Sequence, residues 1–447
     1  MPECRFVPCV GGLGMETSAA TSGASVKVSR KAWIILALLT VAMAISYVDR
    51  FVLAMLIQPV KMELDLSDTE IGIVTGFAFS AFYALFGLVM ARFADTRGVR
   101  KVFVGSLLVW SAMTALCGVA QNFFHMLVAR FGVGAGEAGV APAGHATLAR
   151  VFPAERHSMA LAVFSAGGPV GIMLALFVTG VVEAAVGWRW TFVLMGVPGV
   201  VLALVMLLAG GIFPARAESL PGDQPPENLL SAVKRLVRMP IFIGVNLLMS
   251  SVIFLGFGVG QWIPAYFERT FAVTRAELGV SLALTQGIGM LAGSVGGGLA
   301  ADWLMRREKK WRNYFIVGTI LIAIPLSISV YFAGNVTSAS LLVGLAIFFM
   351  AMPVGAMWAT VQDVAPEEHR ATGSAITMMV GFVIGQGVGP FAIGLASDFL
   401  YNSYGILSLR YALIICVSSA AVLMLIPLFL LGAHTRRGGG EPQPSEL

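Results

Sequence analysis

Two stretches decide the fold: Ala91-Arg-Phe-Ala-Asp95-Thr-Arg97-Gly98-Val-Arg100-Lys101, and Gly298-Leu-Ala-Ala-Asp302-Trp-Leu-Met-Arg306-Arg307. Each closes an apolar run with a carboxylate four residues after a small residue, and each then turns basic. Two more landmarks recur in the same order. Pro153-Ala-Glu-Arg156 is answered by Pro366-Glu-Glu-His-Arg370, and Gly167-Gly168-Pro169 by Gly387-Val-Gly389-Pro390. The offsets run from 207 to 221 residues, about half of the 447-residue chain. The sequence is therefore a parallel internal repeat.

What repeats is apolar. Hydrophobic residues make up 57% of the chain and charged ones 12%, against about 45–50% and about 25% in soluble domains. A soluble fold of this length has too little interior to hide that much apolar surface, so the surrounding solvent is lipid. In lipid, backbone groups must be satisfied within helices or a closed barrel. The apolar runs are about 20 residues long and do not alternate, which selects helices. Spans are expected at 33–57, 70–94, 100–121, 123–148, 158–183 and 188–212, then at 240–267, 277–303, 313–333, 338–361, 369–399 and 409–432. The expectation is an all-α membrane protein of twelve transmembrane helices in two six-helix parallel repeats. Its parts are a tail over 1–30, a first half over 31–212, a linker over 213–239, a second half over 240–432 and a tail over 433–447. Residues 1–30 hold no apolar stretch long enough for a cleavable signal, and Met15 is an alternative start.

Basic residues flanking spans resist translocation and set orientation. With the N-terminus inside, 21 Lys and Arg fall in inner segments. Five fall in outer ones: Lys61, Arg189, Arg269, Arg275 and Arg410. Both termini are therefore expected in the cytoplasm, and the net charge of +5 reflects orientation rather than a nucleic-acid partner.

The informative residues are charges inside apolar spans, where an ionised group costs about 2.5–3.5 kcal/mol on insertion scales. Asp49 and Arg50 lie in span 1, in Ser46-Tyr47-Val48-Asp49-Arg50-Phe51, and Arg130 and Glu137 lie in span 4. The last two are seven residues apart, which places them on one helical face about 10 Å apart along the axis. These four charges are either an ion-pair network that fixes packing or a protonation and anion-binding site. The second reading assigns proton coupling to Glu137 first and Asp49 second, with Arg50 and Arg130 holding an anionic head group. Asp398, near the outer end of span 11, has no clear assignment. The second half has no charge deep in its spans. Its polar and aromatic side chains include Gln261, Trp262 and Gln386, which with Tyr47 are expected to line the cavity. Because the Asp95 loop recurs at Asp302, the residues Asp95, Arg97, Arg100, Lys101, Asp302 and Arg306 read as a cytoplasmic charge latch.

Other chemistries find little support. Gly134-Ala-Gly136-Glu-Ala-Gly139 matches a dinucleotide-binding pattern but lies in an apolar helix and follows no strand. His125, His145 and His157 lack metal-ligand spacing, so no metal and no cofactor is expected. A membrane enzyme would need a nucleophile–base set, and a sensor would need a soluble domain; neither is evident.

These motifs resemble those of the major facilitator superfamily, although Ala91 stands where Gly is usual, and Thr96 and Val99 where basic residues are common. Within it, the chain most resembles bacterial spinster-like transporters. The stretches that carry this are Tyr47-Val-Asp49-Arg50, Gly136-Glu137-Ala138-Gly139 with Pro142, Gly187-Trp-Arg-Trp190-Thr-Phe with Gly196-Val-Pro198-Gly199, and Asp302 with the basic run to Arg312. The resemblance covers about residues 31–432. It implies alternating access about a midplane site and proton-coupled movement of lysophospholipids or sphingosine-type lipids, with Asp49, Arg50, Arg130 and Glu137 as coupling and binding residues. The span 1 and span 4 patterns are also shared with organic anion–cation symporters, so sugar acids are the alternative substrate class. The expected setting is the bacterial inner membrane, with the chain working as a monomer on substrate and protons among membrane lipids.

Overall fold

The computed structural model describes residues 28–97, 99–209, 212–213, 229–271, 273–308, 310–366 and 369–436. Met15, most of the 213–239 linker and most of the C-terminal tail lie outside the described residues.

The first half runs α1 (Arg30–Met55), α2 (Ile57–Leu64), α3 (Asp68–Gly72), α4 (Ala78–Arg97), α5 (Val99–Cys117), α6 (Phe123–Glu137), α7 (Val140–Val151) and α8 (Ala154–Leu208). A short α9 (Leu229–Leu236) precedes the second half. There follow α10 (Pro240–Ile253), α11 (Val259–Phe271), α12 (Arg275–Met305), α13 (Trp311–Ser329), α14 (Val336–Ala351), α15 (Val354–Val364), α16 (Arg370–Val380), α17 (Gly389–Tyr404) and α18 (Ser408–Arg436).

Among the described residues, nine stretches are long and apolar enough to cross a membrane. Two of them, Glu155–Leu208 and Thr372–Phe429, are double-length. The first is split by Gly187, whose φ of 76° closes a hairpin that an L side chain would strain. The second is split by Gly405 at φ 55°. The remaining span joins α6 to α7 through the turn at 138–139, each helix being too short alone. Its counterpart in the repeat breaks in the same place, between α14 and α15 at 352–353. The fold is thus the twelve-span, two-half architecture the repeat implies.

Large apolar side chains such as Phe177, Leu204, Ile288, Leu299, Phe399 and Phe429 cover the outside of the bundle. In water such a surface would aggregate; in a bilayer it is the solvated face.

We call the end where α1 starts and α18 finishes the terminal end, and the opposite one the distal end. Apolar packing joins the halves at the distal end. One buried cluster combines Phe51, Val60, Ile71, Met126 and Leu176 of the first half with Trp262, Phe267, Leu278 and Ile393 of the second. A second cluster, with Leu36, Phe103, Trp110 and Phe164, lies entirely within the first half toward the terminal end. Small residues bring the halves together. A Cβ on Gly76 would lie 2.6 Å from the Gly387 carbonyl oxygen, and one on Gly279 would lie 2.5 Å from that of Leu176. Both contacts fall in the middle or distal part of the bundle.

Three helices relax into π-helical turns near this seam, at Ile73–Phe77, Phe254–Gly258 and Gly381–Val388. Such turns are rare and frequent at functional sites.

Candidate functional site

The four membrane-embedded charges converge at mid-depth, on α1 and α6. Asp49 and Glu137 have no exposed surface, Arg130 is 1% exposed and Arg50 3%. Glu137 Oε2 accepts from Arg50 Nε at 2.7 Å and from the Ser46 hydroxyl at 2.7 Å. A pair this deeply desolvated is held together by charge-assisted hydrogen bonds, and loss of either partner strands a buried charge.

The Arg50 guanidinium is also boxed by aromatic faces. Its carbon lies 5.0 Å from the Tyr47 ring centroid, 4.9 Å from Phe79, 4.9 Å from Tyr83 and 5.8 Å from Phe382. Three of these rings belong to the first half. The fourth, Phe382, comes from the π turn of the second half and packs on Tyr83 with centroids 5.2 Å apart. The charged site is therefore walled on one side by the opposite half.

Arg130 does not pair with either carboxylate. Its Nη1 donates to the Asp49 backbone carbonyl at 3.2 Å, and its Nε to the Val74 carbonyl at 3.2 Å. Both Asp49 carboxylate oxygens, and Glu137 Oε1, are buried without a hydrogen-bond partner. The expected mutual pairing of spans 1 and 4 is thus half realised, in Arg50–Glu137.

The second-half residues divide. Gln261 Nε2 donates to the Arg50 backbone carbonyl at 3.2 Å, which ties α11 to the charged helix, while its Oε1 remains unpartnered. Gln386 is buried in the π turn with Oε1 unpartnered. Trp262 is fully buried, and its indole donates to the Pro390 carbonyl at 3.0 Å, which joins α11 to α17 within the second half.

Of the expected terminal-end latch, the side chains of Asp95 and Arg97 lie outside what the structure describes. Arg100 donates to the Leu207 carbonyl at 2.6 Å inside its own half. Lys101, Asp302 and Arg306 are exposed. The described latch residues make no bridge between the halves in this structure.

The polar closure lies instead at the distal end, and sequence reasoning missed it. Asp68, 2% exposed, accepts from both arms of Arg269 at 2.7 and 2.8 Å, from Lys61 and from the Ser397 hydroxyl at 2.7 Å. Asp398 accepts from the Asp68 and Thr69 backbone N–H groups at 3.0 and 2.7 Å. It thereby satisfies donors at the start of α3, as an N-cap does. Arg275 bridges Glu183 of the first half at 2.6 Å to Glu268 of the second at 3.1 Å. The available signals were Asp398, which had no assignment, and three of the five outer basic residues, Lys61, Arg269 and Arg275.

Comparison with known proteins agrees with this geometry. Residues 39–390 match the family model described as Major Facilitator Superfamily. An MFS-type efflux pump of Mycolicibacterium smegmatis is 33% identical over 410 residues, covering 91% of this chain and 94% of that protein. A hexuronate transporter of Bacillus subtilis is 23% identical, covering 87% and 94%. The mouse sphingosine-1-phosphate transporter SPNS2 is 26% identical, covering 85% and 73%. Among solved structures, a bacterial homolog of the human lysosomal transporter spinster, inward-facing and unoccupied, aligns with TM-score 0.76 and 23% identity, covering 92% of this chain and 97% of that one.

Proposed function

The chain belongs to the Major Facilitator Superfamily, and from that premise we propose that it is a secondary active, proton-coupled transporter of an amphipathic lipid of the lysophospholipid or sphingoid class. The observation that carries this reading is the Arg50–Glu137 pair, buried inside an aromatic box to which the opposite half contributes Phe382. A cation among aromatic faces at the meeting point of the halves suits a substrate with an anionic or zwitterionic head and an apolar body. Protonation of Glu137 would remove the charge that holds Arg50 and free the guanidinium for that head. Asp49, buried with neither oxygen in a well-formed hydrogen bond, is the second carrier. Arg130 supports the same site through the Asp49 carbonyl.

In this reading both termini are cytoplasmic, the membrane is the bacterial inner membrane and the protein works as a monomer. The distal end is then the outer face, and the terminal end is the one that opens inward. Asp95, Arg97, Arg100, Lys101, Asp302 and Arg306 form their latch only when the terminal end closes. Family membership indicates transport and no catalytic activity.

A second reading is favoured by the charged site itself, which also suits small organic anions such as sugar acids, and by the likeness to a hexuronate transporter. Uptake into proteoliposomes with and without an imposed pH gradient separates the two. The panel pairs a labelled lysophospholipid and a sphingoid lipid with a sugar acid. Gradient-driven lipid movement that is lost in Glu137→Gln supports the proposal. Sugar-acid movement reassigns the substrate, and full pH dependence in Glu137→Gln removes Glu137 as the coupling site.

A further inference from the structure

Behind the charged site, on the side away from the second half, α5 presents Trp110 and Thr114 to the Asp49 carboxylate. Trp110 is 0% and Thr114 1% exposed, so both are sealed from solvent. The indole Nε1 and the hydroxyl of Thr114 are buried without a partner, like both oxygens of Asp49. Two donors and two acceptor atoms therefore face one another in a dry place without well-formed bonds. Native interiors seldom leave such groups unpaired, because each costs about 1–3 kcal/mol, and more when charged.

Neighbouring helices pack closely around Trp110. A Cβ on Gly136 of α6 would stand 2.9 Å from the Trp110 Cβ, and one on Gly199 of α8 would stand 3.6 Å from its Nε1. Gly136 thus lets α6 approach the backbone of α5 at Trp110, whose indole N–H lies toward Asp49. The other titratable or charged groups around Asp49 are Glu137 and Arg130 on α6, Arg50 on its own helix and the Cys117 thiol on α5. None of them donates to its carboxylate.

We propose that Trp110 and Thr114 are positioning residues for Asp49, a donor pair that closes on the carboxylate oxygens when the proton has left. In the present arrangement the pair stands open. Ionisation of Asp49 draws the indole N–H and the hydroxyl onto one oxygen each, so the ionised residue is held in one rotamer. This rests on the reading of Asp49 as a proton carrier.

The test is infrared difference spectroscopy on the purified full-length chain in detergent, which follows the protonated carboxyl stretch as pH is varied. The Asp49 band is the one lost in Asp49→Asn. The proposal expects Thr114→Val to raise the titration midpoint of that band by about one pH unit, as loss of a hydrogen bond to a charged group requires. Trp110→Phe should act in the same direction. Thr114→Ser, which restores the hydroxyl, should keep the wild-type midpoint, which a mere packing role would not predict. If the band titrates and neither variant moves it, the proposal fails while the carrier role of Asp49 stands. If no titrating band depends on Asp49, both fail. Should Trp110→Phe not fold, the Thr114→Val and Thr114→Ser pair decides alone.

Discussion

Arg269 on α11 grips Asp68 on α3 with both arms, Nη2 to Oδ1 at 2.7 Å and Nη1 to Oδ2 at 2.8 Å, across the boundary between the two halves. Both oxygens are engaged, and Lys61 and Ser397 complete the shell. The bidentate form adds direction as well as attraction.

Asp68→Asn should weaken this clasp and favour states open at the distal end. Removing one partner of a buried pair costs about 3–5 kcal/mol, enough to displace a two-state balance of ordinary size. With native cysteines replaced, a single cysteine at Gln261 should then react several-fold faster with an impermeant maleimide applied from the distal side. Unchanged labelling would mean the clasp does not set the resting state.

Phe382→Ala opens the fourth wall of the box around Arg50. A cation–π contact is worth about 0.5–2 kcal/mol, so initial transport rates should fall by about two- to thirtyfold, while Phe382→Tyr should stay near wild type. Wild-type rates in the alanine variant would show that the ring merely fills space.

Gly187→Ala tests the hairpin between the spans of α8. With φ at 76°, an alanine costs roughly 1–2 kcal/mol, although open space surrounds the site. The thermal midpoint in detergent should drop by a few degrees. An unchanged midpoint would mean that the turn relaxes to another conformation.

Glu63 provides a pH test outside the spans. Its carboxylate accepts from the Trp188 indole at 2.5 Å and from Arg189 Nε at 2.8 Å. These two bonds, the indole first, hold its pKa below the ordinary carboxylate value. A lowered folded-state pKa contributes stability above the unfolded value, and that contribution is lost as pH falls through the folded one. The side chain is half exposed, so the effect is small. Glu63→Gln should lower the thermal midpoint slightly at pH 7 and converge on wild type in acid. A constant difference across pH would assign the loss to packing.

The legible and illegible parts of this molecule differ for one physical reason. Asp49, Arg50, Arg130 and Glu137 stand out because lipid makes any charge at mid-span an anomaly, and the structure brings all four together. Asp68, Arg269 and Glu183 sit near span ends, where charges are ordinary, and only the fold reveals that they face one another. Phe382 is one of 29 phenylalanines, and nothing local distinguishes it from lipid-facing neighbours. An aromatic at a span position, such as Trp262, can line a cavity or pack, and the letters do not decide between the two; its bond to Pro390 fixes α11 against α17. The spans themselves were readable because apolar length is a property of the letters. The break shared by α6–α7 and α14–α15 also has a cause in the letters, since Pro142 and Pro353 stand just after or in it and lack the N–H a continuous helix needs.

The apolar cluster common to the two halves limits how the molecule can move. Phe51, Ile71 and Leu176 share it with Trp262, Leu278 and Ile393, so no rigid rotation can part the distal surfaces without uncovering oily area. At about 25 cal/mol per Å², every 100 Å² laid open to water raises the free energy by about 2.5 kcal/mol. In the proposed transport cycle, sealing a comparable area at the terminal end would offset that cost. The shared core would then make the molecule a seesaw, in which a leak open to both sides is the least stable position.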